Sequence, residues 1–236
     1  MAAVLHDTWV THKARVLYRG ATPPDTTGFY LCLASTNTLT RSSAKAAFFQ
    51  HELLEGNGYS RKVLTYSADG SYDVTDQRHE MPTVSLSWTA SGAALQYQTA
   101  FLIADAKAGA PASVSFDGST AIDVANDTIG IAAHNLNNQD EVLFKPRAGA
   151  SMFGGASANT LYKVLNATSS TFKISTDGIN PINISSVGSG TIDLSYANGR
   201  IVVLNLEVDP VTIADGQTLE YDFDLVEMNT NYGVGV

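Results

Sequence analysis

Six Asx-Gly dipeptides punctuate the chain: Asn57-Gly58, Asp69-Gly70, Asp117-Gly118, Asp177-Gly178, Asn198-Gly199 and Asp215-Gly216. Such pairs supply the positive φ angles that two-residue hairpin turns require. The runs between them are short and rich in Val, Ile, Thr, Tyr and Phe, residues that suit a pleated surface. This pattern constrains the chain to antiparallel strands joined by tight turns. With no motif carried on a helix, it points to a structural or binding protein rather than an enzyme.

The chain has 236 residues, enough for one large or two modest domains with real cores. A hydrophobic share of 44% against 16% charged residues lies far from the disordered range. The formal charge of −9, with no basic stripe, argues against a nucleic-acid partner. No apolar run reaches the roughly 18 residues of a membrane span, so no membrane insertion is expected. The N-terminus lacks a signal peptide's apolar region and cleavage site. The expectation is a product made and kept soluble. The single cysteine, Cys32, rules out an intramolecular disulfide and lies in the apolar run Phe29-Tyr30-Leu31-Cys32-Leu33, which reads as a buried thiol.

Along residues 3–18, Leu5, Trp9 and Val16-Leu17 recur at near-helical spacing and predict a short amphipathic helix, which Pro23-Pro24 would end. Residues 29–34 read as a strand buried on both faces, 60–66 and 97–104 as further strands, and 40–54 as ambiguous. Val84, Leu86 and Trp88 alternate with Ser85 and Ser87, the period of a half-buried strand, with Trp88 in the core. From about 105 to 198 aromatics thin out and small residues, Asn and Ser dominate. This region predicts strands at 128–132, 141–144, 161–165, 171–174 and 182–185, with a glycine-rich loop at 149–155. Clean alternation then returns: Val202, Leu204, Leu206 and Val208 on one face, and Leu219, Tyr221, Phe223 and Leu225 opposite Glu220, Asp222 and Asp224. The fold class expected is mainly β. An antiparallel β-sandwich-like host domain with a short N-terminal helix (1–111 plus 198–236) carries a small inserted β domain (112–197).

No catalytic, cofactor or metal site is legible. The histidines at 6, 12, 51, 79 and 134 lack zinc spacing, and His134 reads as a turn residue. No nucleophile elbow, P-loop or dinucleotide fingerprint is present. The spacing of a glycosidase carboxylate pair exists only in three dimensions and stays open. Glu220, Asp222 and Asp224 stand about 6.6 Å apart in turn along one strand. That row reads as a solvated face, or as a surface for a basic neighbour. Trp9 and Tyr232 are candidate anchors for subunit contact, and the 231–236 tail has the composition to add a strand to a neighbour's edge, as in a homo-oligomer.

Several segments resemble a family of small tailed-bacteriophage virion proteins with "LYVALST", "GGYAR" and "PVTVNAGDTL" signatures. They are Phe29-Tyr30-Leu31-Cys32-Leu33-Ala34-Ser35-Thr36, Glu55-Gly56-Asn57-Gly58-Tyr59-Ser60-Arg61 and Val208-Asp209-Pro210-Val211-Thr212-Ile213-Ala214-Asp215-Gly216-Gln217-Thr218-Leu219. Asn57 stands where that family has glycine, and Ser60 where it has alanine. Asp127-Thr128-Ile129, Ala133-His134-Asn135-Leu136, Asp140-Glu141-Val142, Leu161-Tyr162-Lys163-Val164, Ser170-Thr171-Phe172-Lys173-Ile174-Ser175 and Gly188-Ser189-Gly190-Thr191 are similar to a β-rich module of phage fibre and appendage proteins. The resemblance implies a non-enzymatic virion component at the tail, baseplate or fibre, with other virion proteins as partners. A head decoration protein bridging capsid subunits is the alternative. A carbohydrate-binding receptor module, with Tyr59 or Trp88 as sugar platforms for a host surface glycan, is a third reading.

Overall fold

A computed structural model describes residues 4–5, 7, 19, 28–65, 71–73, 75, 78–107, 109, 111–223 and 226–228. In chain order it begins with β1 (Val4–Leu5), β2 (Tyr30–Ala34), α1 (Lys45–His51), β3 (Lys62–Val63), β4 (Ser71–Asp73), β5 (Arg78–Glu80), β6 (Val84–Thr89) and β7 (Leu95–Ala104). Next come β8 (Ser113–Asp117), β9 (Ile122–Asp123), β10 (Thr128–Gly130), β11 (Glu141–Pro146), β12 (Tyr162–Leu165), β13 (Thr171–Ser175) and β14 (Thr191–Tyr196). The chain closes with β15 (Arg200–Ile213), β16 (Thr218–Phe223) and β17 (Val226–Met228). The protein is mainly β, and every strand pair is antiparallel.

The host part is built on a five-stranded sheet in the order β1-β15-β7-β2-β3. Its interior strand β2, between β7 and β3, explains its own sequence, because both faces are covered. Leu31 and Leu33 enter a core shared with Trp88, Leu95, Tyr97 and Phe223. Tyr30, Cys32 and Ala34 enter a second core with Phe48, Phe49, Phe101 and Ile103. A strand sandwiched this way must be apolar at every position, not at alternate ones. The layer over the first face is the β16-β6 pair, which turns Val84, Leu86, Trp88, Leu219, Tyr221 and Phe223 inward. The layer over the second includes α1. That helix has seven residues and no side-chain N-cap, so its stability comes from burying Phe48 and Phe49.

β15 and β7 pair along most of their length, with Leu206 opposite Thr99 and then Val211 opposite Tyr97. Residues 207–210 therefore bulge against Gln98 alone. Pro210, which has no N–H to give, falls in this irregularity, where it breaks no ladder.

Residues 113–196 supply a separate seven-stranded sheet, β8-β14-β11-β12-β13-β10-β9, all of whose strand pairing is internal. Phe116, Ile129, Phe144, Phe153, Phe172, Ile192 and Leu194 centre its core. Asp193 is buried in the middle of β14, where Arg147 meets it through Nε and Nη2 at 2.8 Å each and the Ser115 hydroxyl donates at 2.6 Å. This satisfied carboxylate hides the strand's two-sided burial from a reading of its sequence.

Three expectations need correction. Val4–Leu5 is not helical but an edge strand paired to Val203 and Leu204, because the open edge of β15 offers hydrogen bonds that a local amphipathic period does not. Of the rest of residues 3–18 only Asp7 is described, and it is helical, as is Arg19 just beyond; Trp9 and Pro23-Pro24 lie outside the described residues. Residues 182–185 form a crossing outside the strand ladders rather than a strand, with only Ile184 of the four buried. Pro181 precedes it, Ile182 makes one bond to the Ile174 carbonyl (2.9 Å), and Ile184 donates to the Asp127 carboxylate (2.7 Å). Finally, the Asx-Gly pairs do not share one turn chemistry. In Asn57-Gly58 both φ angles are positive (52° and 85°), and Gly56 and Tyr59 exchange two backbone bonds, the two-residue hairpin turn expected. At Asp117 and Asp177 the carboxylate accepts backbone N–H groups just ahead in the chain, and Asp69-Gly70 lies outside the described residues.

Because the 113–196 core draws only on its own residues, the excised segment 112–197 should fold alone. Circular dichroism should show strand and a single cooperative urea transition. A non-cooperative, dye-binding product would mean that the two sheets share one folding unit.

Candidate functional site

The densest polar chemistry among the described residues lies where the two sheets meet. β2 ends at Ala34 and α1 ends at His51, and Ser35 N–H donating to the His51 carbonyl (2.9 Å) and Leu53 N–H to the Leu33 carbonyl (2.9 Å) hold the two together. This fixes Glu52 beside the sheet, only 4% exposed. Arg61 approaches from the far side of the Asn57-Gly58 turn, its Nε 2.7 Å from Oε1 and its Nη2 2.7 Å from Oε2, a two-pronged pair. The Tyr59 hydroxyl donates to Oε1 at 2.9 Å and accepts from Leu33 N–H at 3.2 Å. The turn needs glycine at 58, because a Cβ there would stand 1.8 Å from the Thr89 carbonyl oxygen.

Arg61 also reaches across to the second sheet, donating through Nη2 to the Tyr196 carbonyl at 2.5 Å. Other bonds cross beside it. Lys145 on β11 donates to the Glu52 carbonyl (3.0 Å), Lys45 on α1 pairs with Glu141, and Lys107 pairs with Asp140 (2.9 Å). Glu55 accepts from Ala112 N–H (2.8 Å) and gives its own N–H to the Ser113 hydroxyl (2.9 Å). Beneath these contacts Leu143 and Ala197 from the second sheet side join the core around Phe49 and Ile201. Arg61 and Lys45 lie over the Phe49 ring, 5.4 and 5.7 Å from its centroid.

Burial works against the charge on Arg61, but the Glu52 carboxylate outweighs it and holds the guanidinium protonated. Burial, and then the Glu52 charge, pushes the Cys32 thiol and the Tyr59 phenol well above their ordinary values. Both stay protonated, so neither is a nucleophile at neutral pH. Chemically the cluster is a clamp.

The predicted interface residues divide in two. Glu220 and Asp222 are exposed on the outer face of β16, opposite Ser87 and Ser85 of β6. Ser85 donates to Asp222 at 2.6 Å, and Thr89 and Thr218 bond at 2.8 Å, giving a hydroxyl and carboxylate surface. Trp9, Asp224 and Tyr232 lie outside the described residues. Trp88 is fully buried, donates its indole N–H to the Ser60 carbonyl at 2.7 Å and stacks edge-on against Tyr221. Tyr59 is buried as well, so neither aromatic is a platform for a sugar, while Tyr72 on β4 is exposed.

His134 is a turn residue buried in the 131–140 crossing, with Ala133 and Asn135 at positive φ (53° and 52°) on either side. Its Nδ1 accepts from Leu136 N–H at 2.9 Å, and its carbonyl accepts from the Tyr196 hydroxyl. Burial lowers its pKa and favours the neutral ring. Among the described residues no three His, Cys, Asp or Glu side chains group as metal ligands.

The clamp was missed in the sequence. Glu52, Tyr59 and Arg61 lie within nine residues of one another, but no local pattern says that the three side chains meet, and their further partners, Leu33 and Tyr196, are 26 and 135 residues away in the chain. No family model, curated protein or solved structure matches the chain.

Replacing Glu52 by Gln would leave Arg61 charged and buried without its counter-ion, and should cost about 3–5 kcal/mol of unfolding free energy. Glu52→Leu combined with Arg61→Met should recover most of that. Urea melts of the two singles and the double measure it, and a Glu52→Gln cost within about 1 kcal/mol would remove the clamp's claimed importance.

Proposed function

We propose that the chain is a non-enzymatic structural component of a tailed-phage virion, associated with the tail, baseplate or fibre and acting through contacts with other virion proteins. The observation that carries the reading is the clamp. Its buried Glu52–Arg61 pair orders the host strands and reaches the second β unit through Arg61 to the Tyr196 carbonyl and Lys145 to the Glu52 carbonyl, and the cysteine and tyrosine within it are held protonated. The two sequence resemblances support it from another side, since each of them covers one of the two units, the virion-protein signatures on the host strands and the appendage module on residues 127–191. In this reading the host sheet is the attachment body, the second sheet is the appendage, and the Glu220 and Asp222 face meets a basic surface of a neighbour.

A head decoration role is the second reading. The observation that favours it is the same acidic face on a chain of net charge −9, which suits bridging of basic capsomer surfaces. The glycan-receptor reading loses its named platforms, because Trp88 and Tyr59 are buried.

Antibody labelling of the assembled particle separates the two. The tail reading expects gold at the tail and none on purified tailless heads. Label spread over the head, together with heads that become heat-labile when the protein is removed, would replace it with the decoration role. In the tail reading, Glu220→Lys with Asp222→Lys should reduce incorporation into particles without changing the thermal midpoint of the free protein.

A further inference from the structure

The β6-β16 layer has only two strands, and its two outer edges differ. On the β6 side the Asn57-Gly58 hairpin closes in, with Gly58 against the Thr89 carbonyl oxygen and the Trp88 indole donating to the Ser60 carbonyl. On the β16 side no strand pairs among the described residues. The ladder shows which groups that edge presents. Ala90 N–H donates to the Gln217 carbonyl and the Ala90 carbonyl accepts from Gly216 N–H, each at 2.9 Å, so the turn end is a bonded pair. Bonded and non-bonded pairs alternate along an antiparallel ladder. Thr218 opposite Thr89, Glu220 opposite Ser87 and Asp222 opposite Ser85 are then the non-bonded pairs, and the backbone N–H and C=O groups of Thr218, Glu220 and Asp222 point out from the edge. The Thr89 carbonyl, turned toward Gly58 and away from β16, follows the same alternation.

The core beneath this edge is incomplete. Leu219 and Tyr221 face inward with Phe223, yet only Phe223 is buried, and Val211 of β15 is partly exposed beside them. A groove of about 390 Å³ runs between β15 and β16, lined by Val211, Ile213, Thr218 and Leu219 among others. A third strand beside β16 would pair the outward groups and cover these side chains.

We propose that residues 231–236 of a second copy of this chain supply that strand, so that copies join head to tail. Charge excludes the simplest rival, the β16 edge of a second copy. Edge to edge, Glu220 and Asp222 of one copy would face those of the other, and like charges across a ladder are destabilising. Residues 229–236 carry no charged side chain. In them Tyr232, Val234 and Val236 alternate with Asn231, Gly233 and Gly235, the period that turns one apolar face to the groove and leaves small residues beside Glu220 and Asp222. Reach requires another copy. β17 carries the same ribbon onward, paired to β5 as β16 is to β6, and ends at Met228. Folded straight back through a turn at 229–230, the segment would place residue 236 opposite Phe223 and stop short of Leu219 and Val211. A strand that leaves one copy and enters a different site on the next is a heterologous contact, which builds rings or filaments. It uses the backbone edge of β16 and leaves the Glu220 and Asp222 carboxylates on the outer face.

Two variants separate donor from acceptor. A chain ending at Met228 keeps the edge and lacks the strand; Glu220→Pro keeps the strand and loses one outward N–H without breaking a bond to β6. In sedimentation equilibrium the average mass of the full chain should at least double between about 1 and 100 μM. Each variant alone should stay monomeric, and an equimolar mixture should form dimers and nothing larger. The proposal is overturned by a full chain that is monomeric throughout, by a shortened chain that associates as strongly as the full one, or by a mixture that stays monomeric. Should Glu220→Pro fail to fold, Val234→Asp in the full chain decides, because a charge set against the apolar groove should abolish association, and association undiminished overturns the proposal.

Discussion

The Glu52–Arg61 pair is the interaction on which the arrangement of both sheets depends. A carboxylate and a guanidinium taken out of water each lose several kcal/mol of hydration, and attraction between them restores this only with good geometry and satisfied remaining atoms. Here both carboxylate oxygens are engaged by Arg61, one of them also by Tyr59, and the guanidinium has a second acceptor in the Tyr196 carbonyl. These groups come from four pieces of the fold: the end of α1, the Asn57-Gly58 hairpin that carries both Tyr59 and Arg61, β2 through Leu33 N–H, and the last residue of β14. Apolar groups tolerate small sliding, whereas a two-pronged ion pair accepts one geometry. The pair therefore fixes the register of these pieces against one another, while the Phe48, Phe49 and Phe101 contacts supply the bulk of the burial.

That division of labour accounts for what was legible in the sequence. Period-two patterns show wherever one face of a strand meets water, and β6 and β16 follow the pattern residue by residue, Trp88 and Phe223 inward and Ser87 and Glu220 outward. The continuous run at β2 was readable for the opposite reason, since both of its faces are covered. β14 was not anticipated: its run carries the polar Asp193 and Ser195, yet both are buried, Asp193 by virtue of Arg147 from the loop after β11. The polar contacts between sheets were invisible for a related cause. Lys45 and Glu141, or Lys145 and Glu52, are more than 90 residues apart in the chain, and no local pattern encodes their meeting.

The turn signals carry the same lesson at smaller scale. An Asx-Gly pair says that the backbone is free to take positive φ, and the surroundings decide what is made of that freedom. Asn57-Gly58 builds a tight hairpin because Gly58 passes against the Thr89 carbonyl, where no other residue fits. Asp177 instead accepts the amides of Ile179 and Asn180 and leads the chain away from the ladder toward the crossing at 182–185. Asn198-Gly199 serves a third end. Asn198 accepts the Glu141 amide at 2.7 Å, and a Cβ on Gly199 would stand 2.6 Å from the Ala104 carbonyl oxygen, so the returning chain is pinned to both sheets within two residues.

A join built from charges rather than from a wide apolar patch has a physical consequence for a protein that works by assembly. Apolar area stabilises contact over a range of relative positions and weakens only gradually with displacement. Charged contacts at the edge of such a patch make one orientation preferred, and the cost of breaking them is set by how well water can replace each partner. At this seam water replaces some partners easily and others poorly. Lys45, Glu141, Lys107 and Asp140 lie part-exposed, within reach of solvent, whereas Arg61 and Glu52 stay behind under Phe49 and α1. Separation of the sheets would leave the Glu52–Arg61 pair intact on the host side, with only the Tyr196 carbonyl exchanged for water. The clamp thus orders the host and offers the second sheet one fixed donor, Arg61 to the Tyr196 carbonyl, to which the outer lysines add their pairs.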